Sequence, residues 1–247
     1  MQKHLLYDAN GIQWYMFGRD PEKSESVIDT NEYLIISHGD AMLLDPGGME
    51  IFPNVLTAVS GVIEVEKIKS YLCSHQDPDI MSSLPLWLGL TPTSRIYLSW
   101  LWTGFVSHFG HEFASNFHLV PDEGEWINLG KHTLQIVPAH HCHSSGNLHL
   151  FDPESRILFS GDMGAALIPD DYPIAVEDFD KHIPFMQGFH QRWMPSNDAK
   201  NIWVERVRRL NPSMICPQHG SIFVGEQVKN FLNWIEDLEV GRVKKYA

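Results

Sequence analysis

Ser74-His75-Gln76-Asp77-Pro78-Asp79-Ile80 follows directly on the short strand-like run Ile68-Lys69-Ser70-Tyr71-Leu72-Cys73. In a sharp loop after a strand, alternate residues of a His-x-Asp-x-Asp spacing can turn toward one centre. Pro78 stiffens that loop and removes an amide donor that would otherwise need a partner. Alone, such a stretch also reads as an ordinary polar loop, because loops collect these residues.

Three further runs repeat the design. Thr133-Leu134-Gln135-Ile136-Val137 leads to His140, His141 and His143. Ile157-Leu158-Phe159-Ser160-Gly161 leads to Asp162, and Met214-Ile215-Cys216-Pro217 leads to His219. Ligands at the carboxyl ends of several strands converge on one sheet edge, where open sheets place their sites. The candidate set is His75, Asp77, Asp79, His143, Asp162 and His219, with His140 and His141 as alternatives to His143. The small turn Ser144-Ser145-Gly146 follows His143. Three imidazoles and three carboxylates complete a binuclear metal site.

The rest of the chain reads as an ordinary globular protein. It has 247 residues, 43% hydrophobic and 20% charged, enough for a sizeable core. Tyr33 to Ser37 and Ala41 to Asp45 read as strands joined by a tight turn at His38-Gly39-Asp40. A helix with Val55, Val59, Val62 and Ile63 on one face follows. Glu177 to Leu210 reads as helical, and a last helix from about Gly225 to Glu239 carries the stripe Val228, Phe231, Leu232, Ile235 and Leu238. The tail Arg242-Val243-Lys244-Lys245 reads as a solvated end. A net charge of -13 argues against nucleic acid as a partner, since phosphate binding needs a basic face. No apolar run approaches the roughly 18 residues of a membrane span, and the N-terminus lacks a secretory pattern. A cytoplasmic protein is expected. Cys73, Cys142 and Cys216 read as buried, reduced thiols.

The motifs resemble the metallo-β-lactamase superfamily from roughly residue 31 to 225. That family carries a His-x-His-x-Asp-His loop, a later His before a small turn, a Gly-Asp after a strand and a final His-Gly. Here they stand as His75 to Ile80, His143-Ser144-Ser145-Gly146-Asn147, Ser160-Gly161-Asp162 and Pro217-Gln218-His219-Gly220. Asp77 replaces the second His of the zinc hydrolases, and Ile80 replaces the last. A carboxylate at the second position is the mark of the di-iron branch, the flavodiiron proteins and the oxygen-binding di-iron proteins. Asp45-Pro46-Gly47-Gly48 and the stretch Phe189 to Asn197 are similar to the latter group.

The resemblance implies an α/β fold, the αββα sandwich, as a single domain over residues 1–247. It implies two iron ions: His75, Asp77 and His143 on one, Asp79 and His219 on the other, and Asp162 bridging. Ile80 cannot coordinate, so the second iron is expected to keep an open position for dioxygen. Ligand softness points the same way, since carboxylates and imidazoles without thiolate suit iron or manganese, with zinc as the alternative.

The implied function is a non-haem di-iron protein that binds dioxygen, acting as an oxygen sensor or redox protein. The alternatives are a dioxygen or nitric oxide reductase, and a zinc-dependent hydrolase. No flavodoxin-like domain is read between His219 and Ala247, so turnover is expected to need a separate donor such as a rubredoxin or flavoprotein. A homodimer is compatible with this reading. Two aromatic runs, Trp100, Trp102, Phe105 and His108, and Phe185, Phe189, His190, Trp193 and Met194, read as a roof over the site or as plain core. His190 is expected to support the site without binding metal. Asp45 reads either as a supporting group or as a turn residue.

Overall fold

Asn10 and Gly11 both adopt positive φ, 53° and 76°, the backbone of a tight hairpin turn. They join β1 (Gln2–Ala9) to β2 (Ile12–Gly18). β1 is an edge strand, and its exposed Lys3 and Asp8 discourage further pairing. The structure, a computed structural model, describes residues 1–241, the side chain of His111 excepted. The tail from Arg242 lies outside the described residues. The chain divides into two compact units, Met1–Ile136 and Val137–Ala247.

In the first unit β3 (Glu32–Ser37) and β4 (Asp40–Leu44) pair through the expected His38-Gly39 turn. Both are nearly continuous buried apolar runs, as central strands require. β5 (Ile68–Leu72), β6 (Arg95–Ser99) and β7 (Phe117–Val120) add in parallel, giving a seven-stranded sheet in sequential order. The crossovers carry α1 (Phe52–Ser60), the one-turn α2 (Pro78–Met81) and α3 (Leu84–Leu90). α1 stops at Gly61, so Val62 and Ile63 lie beyond the helix expected to hold them, yet both still pack on the core around Val55 and Val59. A one-turn α4 (Thr103–Val106) lies within an otherwise 3-10 segment. There Trp100 and Phe105 are 51% and 67% exposed, so these two are not core. The hairpin of β8 (Glu125–Leu129) and β9 (His132–Pro138) closes the unit, β9 running across its boundary.

In the second unit the strands lie in the order β13-β12-β11-β10: β10 (Leu148–Asp152), β11 (Ile157–Phe159), β12 (Met214–Cys216) and β13 (Phe223–Val224). β11 and β12 are parallel, so Ser160 and Pro217 leave the sheet on the same side. The helical stretch expected from Glu177 to Leu210 is two helices, α5 (Phe179–Trp193) and α6 (Asn197–Leu210). Pro195 disfavours helix at Met194, and the Ser196 side chain caps α6 by accepting from the Ala199 amide. α7 (Glu226–Asp237) buries Val228, Phe231, Leu232 and Ile235, as the stripe predicts. Among the described residues, no helix is long and apolar enough to cross a membrane.

Candidate metal centre

In the first unit the site begins where β5 ends. Asp45, fully buried at φ 44°, accepts hydrogen bonds from the Ser74 amide at 2.7 Å and the Ser74 hydroxyl at 2.6 Å. Ser74 Oγ lies 2.9 Å from Nδ1 of His75. Because that hydroxyl donates its proton to Asp45, it accepts from His75, which places the ring proton on Nδ1. The lone pair is then on Nε2, 3.3 Å from Oδ2 of Asp77. Two electron-pair donors set side by side are the arrangement a shared cation requires. Gln76 Nε2 donates to the other Asp77 oxygen at 2.9 Å. Asp77 occupies the N-cap of α2, yet its carboxylate makes no cap hydrogen bond. An Asp at that position ordinarily caps; here it turns to His75 and Gln76 instead.

Asp79 sits in the first turn of α2 and lines a cavity of about 330 Å³ with Met49, Ile51 and Ser82. Ile80 is wholly buried among the apolar side chains of this unit. Its carbonyl accepts from the Gly47 amide at 3.1 Å, while Ser83 Oγ donates to the Gly47 carbonyl at 2.6 Å. Asp45-Pro46-Gly47 is therefore both a turn and the brace of the His75 loop.

In the second unit three ligand candidates meet. Oδ2 of Asp162 lies 3.3 Å from Nδ1 of His143, and its Oδ1 lies 3.7 Å from Nε2 of His219. One carboxylate thus offers each oxygen to a different imidazole. Of the three neighbouring histidines, His143 has its ring beside Asp162, whereas His141 is exposed at φ 61°. Asn147 donates to the Cys142 carbonyl and so ties the His143 turn from below.

The Asp162 and His219 turns are stitched together. The Gln218 amide donates to Gly161 O at 2.7 Å, and the Ala166 amide donates to His219 O at 3.2 Å. Gly220 makes this approach possible. It has φ +85°, and a Cβ there would stand 2.8 Å from both the Cβ and the carbonyl oxygen of Ala166. Gly220→Ala is expected to cost about 3 kcal/mol of stability through overpacking and left-handed strain, as urea unfolding of the metal-free protein would measure.

α5 lies over these turns. The rings of Phe189 and Trp193 sit 5.7 and 5.5 Å from that of His143, Trp193 nearly stacked. His190 is fully buried. Burial pushes its pKa down from 6.5 to about 4, only partly offset by its bond to the Met186 carbonyl. The neutral ring is built into the fold, while an unfolded chain takes up a proton below pH 6.5. Stability is therefore complete above that pH and falls as pH drops toward 4, by about 3 kcal/mol for a shift of this size. Urea unfolding of metal-free protein across this range is expected to show the loss, and His190→Gln is expected to lack that component.

The donor chemistry fits iron. It is imidazole and carboxylate throughout. The three cysteines are buried and unpaired by disulfide, and burial raises all three thiols, Cys142 to about 12. None supplies the thiolate that favours softer metals. The sequence reading missed Ser74 and Gly164, whose roles are made by backbone and hydroxyl groups in loops. Ser74, directly before His75 at a strand end, was the one available signal.

Over residues 28–220 the chain matches the ODP family beta lactamase. A solved structure of the peroxy diiron species of chemotaxis sensor ODP is 43% identical, with 98% of this chain and 97% of that one covered and a TM-score of 0.87. That likeness gives the chain the α/β, metallo-β-lactamase-like fold expected from its sequence. Diflavin flavoprotein A 1 of Synechocystis sp. is 26% identical over 216 residues, 83% of this chain and 36% of that protein. Rubredoxin-oxygen oxidoreductase of Megalodesulfovibrio gigas is 23% identical over 235 residues, 86% of this chain and 55% of that protein. The chain thus spans about a third to a half of these two relatives. With the matched stretch covering most of its length and the His, Asp and His-Gly motifs inside it, the chain belongs to the ODP beta-lactamase family.

Proposed function

We propose that this protein binds dioxygen at a non-haem di-iron centre and acts as an oxygen sensor or small redox protein. The observation that carries the reading is the Asp162 carboxylate, whose two oxygens face His143 and His219 separately, so that this carboxylate would serve metal ions held by both imidazoles. Within the second unit His143, Asp162 and His219 come together, and imidazoles with a carboxylate suit iron. In this reading His75, Asp77 and His143 hold one iron, Asp79 and His219 the other, and Asp162 both, with the whole chain working as one domain in the cytoplasm. A bound iron pair would supply the redox chemistry and the affinity for dioxygen.

The chain's own groups do the rest. The Asp45–Ser74 pair keeps the His75 proton on Nδ1, so that Nε2 is the binding atom. Gln76 fixes the rotation of Asp77. Phe189 and Trp193 cover the His143 ring and exclude water from that side. Ile80 offers no donor where zinc hydrolases of this superfamily have one, leaving room for a small ligand.

Turnover as a reductase is the second reading, favoured by the similarity to rubredoxin-oxygen oxidoreductase; it needs a separate donor such as a rubredoxin or flavoprotein. Stopped-flow mixing of the anaerobically reduced protein with dioxygen separates the two. A sensor gives one long-lived spectral change. Rapid repeated dioxygen consumption with a supplied donor supports the reductase, and no spectral change contradicts both.

A further inference from the structure

His190 is buried, lies outside the proposed ligand set, and has both ring nitrogens committed. Its Nδ1 is 2.8 Å from the Met186 carbonyl, one turn back in α5, and its Nε2 is 3.0 Å from the Gly164 amide. A carbonyl only accepts and an amide N–H only donates. The proton is therefore on Nδ1, and Nε2 takes the Gly164 hydrogen bond.

Gly164 stands two residues after Asp162. It has φ +99°, and a Cβ there would meet the Phe223 ring at 2.8 Å. The turn's own bonds run from Met163 N to Ser160 O at 2.9 Å and from Ala165 N to Asp162 O at 3.0 Å. Two further bonds tie it to the His219 turn, as described above. The bond to His190 ties the turn itself to α5, the helix whose Phe189 and Trp193 rings press on His143, and just beyond the turn the Leu167 amide donates to the Phe185 carbonyl of the same helix at 3.1 Å.

We infer that His190 is a positioning residue: through the Gly164 amide it holds the Asp162 turn in the pose that gives one carboxylate oxygen to His143 and the other to His219. The inference rests on the metal-site reading but not on the identity of the metal. It assigns α5 two tasks at once, packing against one ligand and setting the backbone of the next.

His190→Gln and His190→Met test it as a matched pair. The two side chains have similar length and volume, but only glutamine carries a strong acceptor for the Gly164 amide. Trp234→Leu is the control, because Trp234 packs on the His190 ring at 5.7 Å and its indole carries no acceptor for the Gly164 amide. Metal-free proteins are titrated with ferrous iron under anaerobic conditions and, separately, with zinc. The Met variant is expected to bind about 10- to 100-fold more weakly than wild type, the usual loss when a residue orienting a ligand is removed. The Gln variant and the Trp234 control are expected to stay close to wild type.

Amide exchange of Gly164 in the metal-free proteins gives a readout independent of any metal. It is expected to be slow in wild type and the Gln variant and fast in the Met variant. Equal binding by the Gln and Met variants, or unprotected Gly164 in wild type, would overturn the proposal. If wild type takes zinc and refuses iron, the di-iron reading fails, while the order among the variants still decides the role of His190.

Discussion

Asp162→Ala protein, purified after growth in iron-rich medium, is expected to carry less than about a tenth of the wild-type iron. The loss of a residue that merely orients a ligand already costs about 10- to 100-fold in metal affinity, and Asp162 is proposed as a ligand to both ions. Its carboxylate is nearly buried, with one oxygen 3.3 Å from His143 and the other 3.7 Å from His219. The turn is also tied through backbone groups at Gly161, Ala166 and Gly164. The metal-free variant is expected to stay folded, since those backbone ties remain in place. Iron content and a thermal melt on the same sample check both halves. A variant with full iron would remove Asp162 from the centre.

The second large effect is expected at Asp45, which does not bind metal in this account. In the native arrangement the proton runs one way: Ser74 Oγ–H to Asp45, and His75 Nδ1–H to Ser74 Oγ. Asp45→Asn keeps the shape, and asparagine tolerates the positive φ of 44° found there. The new amide, however, donates toward Ser74 Oγ where the carboxylate accepted. The hydroxyl proton must then turn to His75 Nδ1, and the ring proton moves to Nε2, the atom beside Asp77. The expected result is a folded protein whose metal affinity falls by about 10- to 100-fold, the scale of lost orienting partners. Asp45→Ala, by contrast, should compromise folding as well, by about 3 kcal/mol, because two buried donors lose their acceptor. Unfolding curves and metal titrations of the two variants distinguish tautomer control from simple bracing.

Much of this was legible in the sequence because strand-end ligands are local. The runs ending at Cys73, Gly161 and Pro217 are short and apolar, and each delivers its His or Asp within two or three residues. The His38-Gly39 hairpin and the α7 stripe were legible for the same reason. The Asn10-Gly11 turn carried an equally strong hairpin signal, but the strands β1 and β2 beside it were passed over, as were β7, β8 and β10. The break at Pro195 was also written in the chain, since Met194-Pro195-Ser196 combines a helix stop with an N-cap.

What the sequence could not display is pairing at a distance. The Ser74–Asp45 bonds join residues 29 apart, and the His190–Gly164 bond joins residues 26 apart. Nothing in the local composition of α5 distinguishes the buried His190 from its exposed neighbour Trp193. Ile80 is an instructive case: the sequence marked the loss of a ligand there, and the structure adds that its side chain has joined the apolar core of the first unit. The 3-10 segment after β6 has no periodicity to read, and the exposure of Trp100 and Phe105 became visible only in the fold.

The central claim is that this donor set holds a pair of iron ions, and elemental analysis of the protein tests it most directly. The protein would be purified anaerobically from cells grown with both iron and zinc in excess, and metal per chain measured together with the optical spectrum before and after exposure to air. The account predicts two iron ions per chain, little zinc, and an iron-dependent absorption that changes on exposure to dioxygen. Two zinc ions per chain with no iron, and a spectrum indifferent to air, would contradict it and favour the zinc hydrolase.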